Sequence, residues 1–150
     1  MKRIISWAAV VLWMALIFYL SSQPADKSNQ LSSGITETII RAVGKIIPGA
    51  ETAAGKINHI IRKNAHFTAY LILGMLSVNA LRQNGAGRYR AFAWAMVICA
   101  LYAASDEIHQ LFVPGRAGMV TDVMIDSAGA FTGSGIITVF RGRRNTGPKA

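Results

Sequence analysis

From Ile4 to Leu20 the chain runs as IISWAAVVLWMALIFYL, without one charged side chain. A helix crosses the ~30 Å hydrocarbon core of a bilayer in about 20 residues, or about 17 at the shortest, so this run is long enough to span. Three further segments read the same way: Ala65 to Leu81, Ala91 to about Phe112, and about Val120 to Phe140. Met1-Lys2-Arg3 ahead of the first run would also suit a secretory signal. The run is longer than the ~7 to 15 apolar residues of a signal, however, and it holds two Trp and no Ala-x-Ala site. Inside lipid every backbone amide must be satisfied within the segment, which leaves helices for apolar runs of this length. The expected fold class is therefore all-α: a polytopic membrane protein, one domain over residues 1–150, built as a four-transmembrane-helix bundle.

Charge sets the expected orientation. The net charge of +9 would point to nucleic acid if the basic residues formed one stripe, but the spans divide them. Four spans put the N-terminus, the 82 to 90 loop and the C-terminus on one side. That side holds Lys2, Arg3, Arg82, Arg88, Arg90, Arg141, Arg143, Arg144 and Lys149, and no acidic residue. The other Lys and Arg and every Asp and Glu belong to the opposite half. Lys and Arg are retained in the cytoplasm, so both termini are expected to be cytoplasmic in a multi-pass protein of the bacterial cytoplasmic membrane. The charge is then positive-inside bias with some attraction to anionic lipid, and no nucleic-acid partner is expected. The single cysteine, Cys99, lies in an apolar run. It excludes an internal disulfide and a Cys-based zinc site, and reads as a small buried apolar side chain.

The connection between the first two spans is long. Within it Leu31, Ile35, Ile39, Val43 and Ile46 or Ile47 recur at three and four, with Ser28 available as N-cap and Pro48-Gly49 as a stop. This predicts an amphipathic helix over about 28–48, lying in the outer interface or across the mouth of the bundle. A second helical pattern from Lys56 is expected to run without interruption into the second span.

Ionisable residues inside a membrane are costly, about 2.5 to 3.5 kcal/mol each on insertion scales, and so are functional candidates by default. Here they gather at the outer end. His59, Arg62, Lys63 and His66 fall at i, i+3, i+4 and i+7 on the second span, with Tyr70 one turn deeper. On the third, Asp106, Glu107, His109 and Gln110 precede a tight turn, Val113-Pro114-Gly115-Arg116. On the fourth, Asp122 and Asp126 share a face with Gly129 and Gly133, a GxxxG spacing that lets helices approach closely. The acidic face is thus expected to be the packed one, which makes a polar pocket opening outward.

Three chemistries remain open for that pocket. The charges can pair, with Lys63 and Arg116 neutralising carboxylates and locking the bundle. A divalent metal can take His66, His109, Asp106, Glu107 and Asp122 or Asp126 as ligands, although no HExxH or other defined ligand motif is present. Or Arg62, Lys63, His66 and Arg116 hold a phosphate, with Glu107 or Asp106 as general base beside His109 or His66. The third reading suits base, acid and guanidinium at headgroup level best. It leaves enzyme and non-enzymatic binder both open.

Several of these residues also form a recognisable set. Ser21-Ser22-Gln23-Pro24, then Lys63-Asn64-Ala65-His66-Phe67 with Tyr70 and Gly74, and above all DEIHQLFVPGR (Asp106 to Arg116) followed by Asp122, Asp126 and Gly129, resemble the VanZ-like family over about positions 15 to 135. The resemblance implies a small polytopic bacterial protein, in a family whose namesake is associated with resistance to teicoplanin. It carries Gln23, Lys63, His66, Tyr70, Asp106, Glu107, His109, Gln110, Arg116 and Asp122 over as candidate site residues; Asp126 rests on the helical-face argument. The partners it implies are a membrane lipid or lipid-linked wall precursor, and the lipoglycopeptide antibiotic itself. It supplies a context and no mechanism.

Overall fold

The computed structural model describes residues 1–24, 34, 38, 54–116 and 118–142. Among them every regular element is a helix: α1 Lys2–Ser21, α2 Ala54–Gln83, α3 Arg88–Gln110 and α4 Val120–Gly142. Three of these, α1, α3 and α4, are long and apolar enough to cross a membrane. The amphipathic segment expected over 28–48 lies outside the described residues, Gly34 and Thr38 apart.

α2 departs from the expected pattern in composition and not in length. It is unbroken over 30 residues, about 45 Å at 1.5 Å per residue, but His, Asn and Ser interrupt its apolar run. Its position also sets it apart: α2 packs against α1, α3 and α4. A helix surrounded by protein on several sides meets less lipid and needs less apolar surface.

Small residues bring the helices together. Along α3, Ala91, Ala95, Cys99 and Ala103 recur every four residues and are all fully buried, and the same face continues into Asp106, Glu107 and Gln110. Cys99 is buried and free, as its setting predicts. Between α2 and α4 the glycines make the seam. A methyl group built on Gly129 would strike the Phe67 carbonyl, and one on Gly133 the Leu71 carbonyl. Both helices advance four residues together along this seam, so α2 and α4 run parallel. The expected GxxxG face is therefore a helix contact, and α2 is its partner.

Two long-range hydrogen bonds tie α1 to the rest. Trp13 Nε1 donates to the Ala69 carbonyl at 2.9 Å, and Tyr102 Oη donates to the Met14 carbonyl at 2.5 Å. With short turns on both sides of α3, this alternation places the C-terminal ends of α1 and α3 beside the N-terminal ends of α2 and α4. We call this the polar end, because it carries every acidic residue of the described helices.

Candidate functional site

The α3–α4 turn builds half of the polar end. Val113-Pro114-Gly115-Arg116 closes with the Arg116 N–H on the Val113 carbonyl at 3.1 Å. Gly115 has φ 75°, and Pro then Gly at the two central positions of such a turn is the signature of type II, whose second central residue needs positive φ. The turn sends Arg116 back toward α1. Its Nε donates to the Gln23 carbonyl at 2.9 Å, its Nη2 to the Leu20 carbonyl at 3.3 Å and its Nη1 to Gln110 Oε1 at 3.3 Å. The last carbonyls of a helix have no partner within it, and a guanidinium satisfies them while complementing the negative end of the dipole. Burial, and after it the nearby Arg62 charge, hold the Arg116 pKa below the usual arginine value, with Asp106 and Glu107 acting the other way.

The acidic pair of α3 is engaged in the same framework. Asp106 is buried and accepts the Ser21 hydroxyl. Gln110 Nε2 lies 3.4 Å from Asp106 and 3.2 Å from Glu107 Oε1. The other Glu107 oxygen accepts the Met119 backbone N–H at 2.8 Å, one residue before α4, where a carboxylate meets the positive end of a helix. Gly118 permits that approach, since a Cβ there would stand 2.6 Å from the Glu107 carbonyl. Both carboxylate oxygens of Glu107 thus serve the turn.

The other half is a cavity of about 170 Å³ between α2, α4 and the turn. Arg62, Lys63, His66 and Arg116 supply its cationic wall, Asp122 and Asp126 its acidic one, and Gln110, Met119 and Ile125 fill between them. Lys63 Nζ pairs with Asp122 at 3.1 Å. One turn deeper, His66 Nδ1 stands 3.6 Å from Asp126 Oδ2. Asp126 is 0% exposed, yet neither of its carboxylate oxygens finds a hydrogen-bond donor among the described residues.

Of the residues expected at the site, Lys63, His66, Gln110, Arg116, Asp122 and Asp126 line this cavity. Asp106, Glu107, Tyr70, Gln23 and His109 do not. Tyr70 is fully buried a turn below His66. Gln23 contributes its backbone carbonyl to Arg116, while its side chain turns back on Tyr19 at 3.1 Å. His109 faces α1, its ring 4.4 Å from that of Phe18. Ser21, which the sequence offered as part of the resemblance but not as a site residue, and Met119 also enter the arrangement. The small polar run that closes the first apolar stretch was the available signal for Ser21; a backbone N–H such as that of Met119 leaves none. Among the described residues no group of three or more His, Cys, Asp or Glu is placed to hold a metal ion, so the metal chemistry has His66 and Asp126 and no third ligand of that kind.

A family model, VanZ/LLP1, matches residues 6–141. The chain belongs to the VanZ/LLP1 family. It is thus a VanZ-like membrane protein, and the match takes in all four described helices almost completely. The strings that carried the resemblance, Ser21-Ser22-Gln23-Pro24 and Asp106 to Arg116, are the ones joined through Ser21–Asp106 and Arg116–Gln23. No curated protein and no solved structure matches the chain.

Proposed function

We propose that this VanZ/LLP1 protein binds or modifies a lipid-linked anionic component of the bacterial envelope, at a cavity that opens on the outer face of the cytoplasmic membrane. The observation that carries the reading is the convergence of Arg62, Lys63, His66 and Arg116 on one small cavity at the polar end. Guanidinium groups suit phosphate in charge and in bidentate geometry. Among the described residues neither Arg62 nor Arg116 has a carboxylate within ion-pair distance; Arg116 gives three of its five N–H groups to Gln23, Leu20 and Gln110 and keeps two for a ligand. Lys63 is different: its pairing with Asp122 favours, for those two residues, a locking role.

Size narrows the ligand. Sites for drug-sized molecules run to about 300–1,000 Å³, and about 170 Å³ admits a headgroup but no whole lipoglycopeptide. Lowered sensitivity to teicoplanin would then follow from a changed or shielded envelope component. Beside the polar end, Trp13, Leu16 and Leu20 of α1 and Ile61, Thr68 and Ile72 of α2 line a largely apolar groove, which suits a ligand that carries an acyl chain. The excess of Lys and Arg at the opposite end supports cytoplasmic termini and a multi-pass, four-span topology.

Mass spectrometry of lipids and lipid-linked wall precursors, from a bacterial host making the wild type or Arg62→Gln/Lys63→Gln at matched membrane abundance, tests the reading. A species altered in mass, or co-purifying with the protein, with the wild type only is the expected result. Identical spectra and empty preparations from both would overturn it.

A further inference from the structure

The cavity has two poles, and a plain phosphate satisfies one of them. Arg62 and Arg116 offer only N–H donors, as an anion requires. Asp126 offers only acceptors when ionised, is wholly enclosed, and among the described residues has no hydrogen-bond donor on either oxygen. The nearest basic atom, His66 Nδ1, is 3.6 Å away, past hydrogen-bond reach. His66 gives Asp126 an ion-pair contact but no hydrogen bond, a buried carboxylate without hydrogen bonds is costly, and an anion placed beside it adds like-charge repulsion. Asp122 cannot share its own cation, because Lys63 is already on it. What complements both poles is a ligand that brings a cationic donor together with its phosphate.

We infer that the cavity takes a zwitterionic phosphate ester bearing a primary ammonium, of the phosphoethanolamine class, with the phosphate on Arg62 and Arg116 and the ammonium on Asp126. This deepens the proposed function and rests on it. A primary ammonium has three N–H donors for the two free oxygens of Asp126 and compensates their charge. A hydroxyl brings one donor and no charge. A quaternary ammonium brings charge and no donor. The size agrees: phosphoethanolamine has about eight non-hydrogen atoms, and an enclosed cavity of about 150 Å³ holds a benzene-sized molecule.

The test is native mass spectrometry of the purified full-length protein with an equimolar set of dioleoyl lipids: phosphatidylethanolamine, its N-methyl, N,N-dimethyl and N,N,N-trimethyl forms, and phosphatidylglycerol. The methyl series removes N–H donors one at a time at constant charge and requires no variant. Retention should fall stepwise, by roughly tenfold in all, and phosphatidylglycerol should be held less than phosphatidylethanolamine. Asp126→Asn should flatten the series; if that variant does not fold, the wild-type series still decides. Equal retention across the series, or phosphatidylglycerol held best, overturns this inference and leaves the anionic-ligand reading standing. Retention of no phospholipid, with no binding of free phosphoethanolamine, also overturns this inference, while the proposed function stands or falls on the spectra of the wall precursors. Water-soluble phosphoethanolamine, added as competitor, separates the two sources of the group. Displacement at matched concentration assigns the free ester and its absence assigns the lipid; either upholds the chemistry.

Discussion

The two halves of the polar end are built from similar residues and treated oppositely. On the α1–α3 side Ser21, Asp106, Glu107, Gln110 and Arg116 form a connected set of hydrogen bonds. On the α2–α4 side, a helix away, Asp126 is as thoroughly buried as Asp106 and, among the described residues, has His66 at 3.6 Å but no hydrogen-bond donor. Buried polar groups in proteins are overwhelmingly satisfied, and the open carboxylate beside the cavity is the one that the proposed ligand would complete. The difference separates scaffold from site within a single cluster. The first side fixes the turn and the end of α1, the second lines the cavity, and Gln110 and Arg116 belong to both.

The largest disruption expected is at the seam that holds the two halves in register. Gly133→Ala puts a methyl group onto the Leu71 backbone carbonyl, so α2 and α4 must separate. Overpacking of this kind costs about 1–3 kcal/mol, and it should lower the thermal midpoint in detergent together with ligand retention. An unchanged midpoint would mean that the seam does not set the spacing between Lys63, His66 and their aspartates.

Glu107→Gln comes next and probes the scaffold side. It removes the carboxylate from the start of α4 and turns an acceptor facing Gln110 or Met119 into a donor. A buried group left unsatisfied costs about 1–3 kcal/mol, so the melting midpoint should drop while ligand retention, measured below that midpoint, persists. Loss of retention at full stability would return Glu107 to the chemistry as a base and erase the contrast between the halves.

The smallest effect expected is from His109→Ala. The imidazole packs on Phe18 outside the cavity, and aromatic pairs add about 0.5–1.5 kcal/mol beyond their burial. Stability should fall by no more than that, with retention unaltered in the same native mass measurement. A selective loss of retention would place His109 in contact with the ligand.

These outcomes bear on which residues could be read in advance. The faces were legible: a repeat of three and four puts Arg62, Lys63 and His66 together, and a spacing of four puts Asp122, Asp126 and the glycine face on one side of α4. The division of labour was not. Glu107 and Asp126 are both carboxylates near the same end of apolar helices, and nothing in their neighbours in sequence says that one caps a helix and the other lines a cavity. His109 was drawn toward the site by its adjacency to Asp106 and Glu107, but two residues of helix turn it away from Glu107, and its ring meets Phe18 of α1.

What the sequence by itself determined is whatever depends on local period and on transfer to lipid: helices of span length, a basic and a polar end, an acidic face lined with small residues. What the tertiary structure decided is partnership. Ser21 meets Asp106 across 85 positions and Arg116 reaches Gln23 across 93, and such pairs exist only once the helices dock. The physical reason is range. A helix fixes the direction of its own side chains within a turn or two, whereas the satisfaction of a buried polar group depends on whichever atom another helix brings within about 3 Å.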